Sequence, residues 1–250
     1  MTMPSETRRR GGVLVATLFT LAAISLLIGF GKWQLDRKAW KEDLIQTLTA
    51  RLAGPPKDLA PRADWPRLVQ ERDEFTRVTF PAEFIAGEEA LVYTAGSPLR
   101  PDVKGPGYWV LSPARLAGGS VVIINRGFVP VDRKDAATRA PGALRGTVDI
   151  TGAMRWTEPR GMFTPEDDVA GNVWYVRDPQ AISTAKKWAS AAPFYIDQEA
   201  PVPPGGLPLP GKLEVNLPNN HLQYVITWFG LALALAGVYA FWLFGRLRRR

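Results

Sequence analysis

Two uncharged apolar stretches stand at opposite ends of this 250-residue chain, and they limit what it can fold into more than any other feature. One runs from Gly11 to Gly31, 21 residues, and the other from Leu222 to Gly245, 24 residues. About 20 apolar residues in a helix cross the hydrocarbon core of a bilayer. Nothing between the two stretches has that character. The chain therefore reads as a membrane hairpin: a tail over 1–10, a transmembrane helix over 11–31, a large extramembrane domain over 32–221, a second span over 222–245, and a short tail over 246–250.

Arg8, Arg9 and Arg10 precede the first span, and Arg246, Arg248, Arg249 and Arg250 follow the second. Basic clusters at span ends stay on the cytoplasmic side, whereas long loops cross largely regardless of charge. Both tails are expected to be cytoplasmic and the 32–221 domain periplasmic. The first apolar stretch is longer than a signal-peptide core, and a helical pattern continues directly behind it, so it is expected to remain as an anchor. No long Arg- and Ser-rich presequence is present, which favours a bacterial plasma (inner) membrane over organelle import.

The net charge of +7 invites a nucleic-acid reading, and its distribution refuses one. The two ends carry seven basic residues and one acid, which leaves the 32–221 loop with 24 basic and 23 acidic residues. The basicity is a topology signal that also draws the ends toward anionic lipid. Cysteine is absent, so the domain must rest on its own core, and thiol catalysis and thiolate metal sites are excluded. With His221 the only histidine, a multi-histidine metal site within one chain is excluded as well.

Behind the first span, Trp33, Trp40, Leu44 and Leu48 recur on one helical face, with Asp36, Glu42 and Asp43 opposite. This predicts a helix over 32–52, stopped by Gly54-Pro55-Pro56. The period then changes to two. Strand-like runs begin with Phe75–Phe80 before Pro81 and continue with 90–95, 108–112, 121–125, 147–154, 173–177, 194–197 and 212–215. The expected fold class is α+β: two transmembrane helices enclosing a mainly antiparallel β domain over 74–215, which could close into a barrel-like form. One helix interrupts the strands, with Asp178 as N-cap, Pro179 in the first turn, and a run to about Ala191. Pro201–Pro210 carries five prolines and reads as an extended return to the membrane.

Three constellations carry chemistry. In NNHLQYVITWFG, residues His221, Tyr224, Val225 and Trp228 share one face at the membrane boundary. A neutral imidazole above aromatic rings could ligate haem iron. The same rings also suit an ordinary interfacial belt. Lys32, Arg37, Lys38 and Lys41 stand just above the first span, where they could meet propionates or lipid phosphates. In VVIINRGFVP, a buried strand is expected to end in a turn holding Asn125 and Arg126, with Gly127 giving room for a bulge. Arg126 could bind a carboxylate or tie the turn internally. Phosphate loops, nucleophile elbows and metalloprotease helices do not occur. Asp167-Asp168 and Glu88-Glu89 are expected to face solvent.

Five strings in order, GKWQLDRKAWKEDLI, GYWVLSP with VVIINRGFVP, NVWYVRD, PPGGLP and NNHLQYVITWFGLA, resemble the Surfeit locus protein 1 family of cytochrome c oxidase assembly factors. The resemblance covers nearly the whole chain. It departs at Phe128, where the family has Trp after Arg-Gly. It implies a non-enzymatic role in building the haem-copper subunit of a terminal oxidase, with the catalytic subunit and the haem a synthesis machinery as partners. Bacterial members look like haem a-binding proteins, and the family's proposed ligand corresponds to His221. On that reading Tyr224 and Trp228 flank the macrocycle, and Trp33, Arg37 and Lys41 close the site from the first helix. A second axial imidazole would have to come from a partner or from a homo-oligomer. Small residues Ser25 and Gly29 in the first span, and Gly230, Ala234 and Gly237 in the second, are expected to let the helices approach closely. A scaffold that grips an oxidase intermediate without haem is the rival reading, and an anchored hydrolase is a third.

Overall fold

The computed structural model describes residues 5–188 and 191–248. Arg249 and Arg250 of the C-terminal basic cluster lie outside the described residues. The chain divides into two compact units, one of residues 1–46 with 217–250, the other of residues 47–216.

The first unit is helical. Helix α1 runs unbroken over Ser5–Ala53, so it already begins within the expected tail 1–10 and continues well past residue 31. Helix α4 covers His221–Arg248. These are two helices long and apolar enough to cross a membrane. Their large apolar side chains stay mostly uncovered by protein, Phe19 and Phe241 being 77% and 82% exposed. The expected apolar face of residues 32–52 is not a buried one throughout. Trp33 and Trp40 are exposed, Arg37 lies over the Trp40 ring, and Lys38 pairs with Glu42 at 2.7 Å.

The second unit is a mixed eight-stranded sheet with short helical connections. Its strands are β1 (Lys57–Asp58), β2 (Arg77–Phe84), β3 (Ala90–Gly96), β4 (Lys104–Leu116), β5 (Val121–Pro130), β6 (Thr147–Arg155), β7 (Val173–Trp174) and β8 (Ala191–Ala200). Helix α2 (Gln70–Asp73) precedes β2, and α3 (Pro179–Lys186) precedes β8. The strand order is β1-β2-β6-β8-β5-β4-β3-β7. Neighbours pair antiparallel except β1–β2, β3–β7 and β5–β8, which are parallel. A further pairing of β2 with β4, over Ala82–Phe84 and Ala114–Leu116, turns the order back on itself. The result is a mixed sheet, not a clear barrel, that lies in sequence between the two apolar helices.

β5 explains why its sequence does not alternate. Val122 and Ile124 join one cluster with Val78, Phe80, Ile150, Phe194 and Ile196, while Ile123 joins Trp109, Leu111, Trp174 and Tyr195 on the other face. A strand covered on both faces reads as one continuous apolar run. β5 also does not stop at Asn125. It continues to Pro130 through a bulge where Trp109 pairs with Phe128 but Leu111 pairs with Asn125. Gly127 sits in that bulge at φ +122°, and a Cβ there would lie 2.1 Å from the Leu209 carbonyl oxygen. The neighbouring Phe128 exchanges backbone hydrogen bonds with Leu209 at 2.8 and 3.0 Å. Gly142 is pressed equally close to the Leu207 carbonyl. Pro201–Pro210 is therefore a strap laid on the sheet, not a free extended return.

Several other expectations are corrected. Pro81 does not end β2; exposed at a position paired with Asp149, it leaves the strand intact to Phe84. Lys212–Val215 is not a strand. It is extended chain held by Glu214 N–H donating to the Leu99 carbonyl, with Leu213 buried against Phe75 and Ala153. The 173–177 strand shrinks to Val173–Trp174. Asp178 does cap α3, accepting from Gln180 and Ala181 N–H, but Lys187 in the left-handed region ends the helix before Ala191. The acid pairs are not simply solvated. Glu88 accepts from Trp188 Nε1 at 2.8 Å, Glu89 binds Arg139, Asp167 accepts from Tyr175 N–H, and Asp168 accepts from Gly171 N–H.

Beneath the β5 bulge lies a buried charge network. Asp197 on β8 accepts from Asn125 at 2.5 Å, pairs with Arg155 at 3.1 Å, and stands 3.7 Å from Arg177. Arg155 also reaches Glu74 at 3.1 Å, and Arg177 grips Glu158. Burial works against the Arg177 charge, but the Asp197 and Glu158 carboxylates outweigh it and raise its pKa. Burial likewise opposes the Glu158 charge, and Arg177 and Arg155 overcome it, holding that carboxyl below its ordinary 4.5. Burial pushes the Tyr195 phenol well above its usual value.

Removing one partner of such a network strands a buried charge. Asp197→Ala should cost about 3–5 kcal/mol in denaturant unfolding, whereas Asp64→Ala, whose Arg67 partner is largely exposed, should cost less than about 1 kcal/mol. Glu158 has a lowered folded pKa, so its contribution is complete above 4.5 and is lost as pH falls through the folded value. Thermal melts taken from about pH 6 to about pH 3 should fall less steeply for Glu158→Gln than for the unaltered chain.

Candidate functional site

The candidate site is built where α4 begins against α1. His221 is the first residue of α4, and its Nδ1 is 2.7 Å from Oε1 of Gln34 on α1. Gln34 is 8% exposed, a polar side chain buried on a helix that is otherwise open there. An amide oxygen only accepts, so the ring donates to it from Nδ1; in a neutral imidazole with that tautomer, Nε2 is the nitrogen that keeps a lone pair. This is how proteins commonly present an imidazole to a metal: one ring nitrogen anchored, the other left as a ligand.

One turn down α1, the Phe30 ring meets Trp228 with centroids 5.0 Å apart. Between these two contacts the helices also touch at Gly31. A Cβ on Gly31 would fall 2.8 Å from the Phe229 ring, so a larger residue there would require that ring to move. The small residues expected to allow this approach are not the ones used. A Cβ at Gly29, Gly230 or Gly237 would meet nothing within 4 Å. Ser25 and Gly29 instead line an apolar groove of about 490 Å³ on α1, with Leu26, Phe30 and Trp33.

His221 and Trp228 face α1 together with Val225, which is 7% exposed. Tyr224 lies off that face and is 52% exposed. Trp33 and Arg37 are exposed and Lys41 is half-buried, and none of the three shares a hydrogen bond with His221 among the described residues. The position facing the imidazole belongs to Gln34, which reading the sequence did not single out. The available signal was its place four residues after Phe30 on the same helical face.

Two polar atoms beside the site have no hydrogen-bond partner among the described residues: Trp228 Nε1 and Asn219 Oδ1, both closed to solvent. A buried polar atom without a partner is costly. The apolar groove on α1 is lined by neither His221 nor Trp228, and only Phe30 belongs both to it and to the contact with Trp228.

Residues 21–233 match the SURF1 family. The chain is 35% identical over 246 residues to a SURF1-like protein of Monosiga brevicollis, an alignment covering 97% of this chain and 90% of that protein. It is 33% identical over 217 residues to Surfeit locus protein 1 of Homo sapiens, covering 82% and 70%, and 34% identical over 228 residues to a SURF1-like protein of Drosophila melanogaster, covering 86% and 73%. These relatives are eukaryotic, so the expected bacterial membrane finds no support among them. Matched over most of its length by the family and by relatives above 30% identity, this chain belongs to the SURF1 family.

Proposed function

We propose that this protein is a membrane-anchored assembly factor for cytochrome c oxidase that binds haem a and assists its insertion into the catalytic subunit. The observation that carries the reading is the pair His221–Gln34: the chain's single imidazole, anchored through Nδ1 with Nε2 free, at the mouth of an apolar helix. When bound, haem a would supply an iron that takes Nε2 as an axial ligand. Trp228 and Phe30 would form one wall. Trp33 and Tyr224, each about half exposed, are available to cover the macrocycle, and Arg37 and Lys41 to meet its propionates. Cysteine is absent, so no thiolate competes for the iron. Both termini would lie on the cytoplasmic or matrix-like side, as the terminal arginines direct, with the sheet domain across the membrane to meet the oxidase subunit. The protein would hold and deliver, not catalyse.

A second reading has its own support. The His221–Gln34 hydrogen bond also ties α4 to α1, which is all a haem-free scaffold would need.

Optical spectra of the full chain purified from cells that make haem a separate the two. His221→Ala should lose most of the bound haem while both helices still insert. Gln34→Leu should keep the ligand but free its ring, lowering haem affinity by about ten-fold or more with an altered spectrum. A His221→Ala protein with its full haem complement and unchanged spectrum would leave the scaffold reading standing.

A further inference from the structure

Arg126, singled out in the sequence as either a carboxylate binder or an internal tie, makes no ion pair among the described residues. It lines a cleft of about 590 Å³ on the sheet unit, formed by the end of β2, the β2–β3 turn and the loop 136–146. One guanidinium N–H donates to the Gly142 carbonyl at 2.7 Å, and one face rests 4.9 Å above the Phe84 ring. The remaining donors of its five have no hydrogen-bond partner among the described residues. Burial lowers its pKa, with Glu89 too weak an offset.

The other charges of the cleft are committed or peripheral. Arg139 is spent on Glu89 and on the carbonyls of Arg133 and Lys134. Glu88 is held by Trp188. Glu83 and Arg145 are exposed at the rim. Ser112 also lines the cleft. It is 2% exposed, and its Oγ has no hydrogen-bond partner among the described residues. The remaining walls are apolar, including Ile85, Ala140, Leu144 and Pro208.

A guanidinium with free donors presents a fork that matches one carboxylate. Three arginines and three glutamates line the cleft, so its charge balances before a ligand enters. That favours a singly charged group over a phosphate. We propose that this cleft binds an apolar monocarboxylate, with the carboxylate on Arg126 and an oxygen within reach of Ser112 Oγ, and the hydrocarbon or peptide stem along the apolar wall. The proposal uses none of the residues assigned to haem, so it stands or falls apart from that reading.

Isothermal titration of the full chain in lipid nanodiscs, with empty nanodiscs as the blank, tests it. The probes are hexanoate and N-acetyl-Leu-Leu, each against its amide. Saturable binding of either acid, with its amide at least about ten-fold weaker, is the expected result. Binding of hexanoate would identify a free acid as the source, and binding of the dipeptide alone a chain terminus. Arg126→Gln should weaken the acid by about ten-fold or more, Arg126→Lys by less, and Ser112→Ala by about three-fold, with haem content unchanged. Amides that bind as well as acids, an Arg126→Gln protein that binds as tightly as the unaltered chain, or no saturable binding of either acid would overturn it. The acid–amide comparison needs no variant and holds even if Arg126→Gln misfolds.

Discussion

The sheet unit depends on one carboxylate. Asp197 comes from β8, yet it is claimed by Asn125 on β5, Arg155 on β6 and Arg177 before α3. Two buried guanidinium groups in a low-dielectric interior would repel each other strongly, and each has lost its water. The carboxylate between them offsets both penalties at once, with Glu74 and Glu158 completing the outer side. Asn125 then turns its own amide oxygen to the N–H of Gly127, so the same cluster helps fix the β5 bulge. Three strands, the bulge and the approach to α3 are thereby set in register by groups that occupy a few residues of sequence.

That dependence explains what the sequence could and could not reveal. The two apolar helices were legible because length and lack of charge are local properties, as were most strands, since period-two runs between glycines and prolines are local as well. Asn125-Arg126 looked like a turn because two polar residues interrupt an apolar run. Their partners, Asp197 and the Gly142 carbonyl, lie 72 and 16 residues away. Lys212–Val215 has a strand's alternation, but its hydrogen-bonding groups are used by Leu99 and by burial of Leu213, not by a ladder. Glu88 and Glu89 look like a solvated pair until Trp188 and Arg139 are brought to them.

The candidate site shows the same division. His221 stood out by being unique, and its spacing to Trp228 put the two on one helical face; both meet α1. Tyr224, read on the same face, is 52% exposed. Glycine positions misled for a related reason: a small residue permits close approach, but only the partner's side chain decides where it happens, and Phe229 reaches Gly31. Gln34 carries no composition signal at all. Its importance lies in a 2.7 Å contact across 187 residues.

The parallel pairing of β5 with β8 has a consequence for how the protein is made. Sixty residues separate the end of β5 from the start of β8, and β6 also needs β8 as its neighbour. Until β8 leaves the ribosome, the most apolar strand of the domain has one unpaired edge and Arg155 and Arg177 lack their shared counter-ion. Pairings this distant in sequence close late and slowly, with apolar surface exposed in the meantime. Only twenty residues then separate β8 from α4. The sheet is completed at nearly the moment the second apolar helix emerges, so the late closing of the domain overlaps in time with the exposure of that helix's apolar side chains, and a delay in one prolongs the other.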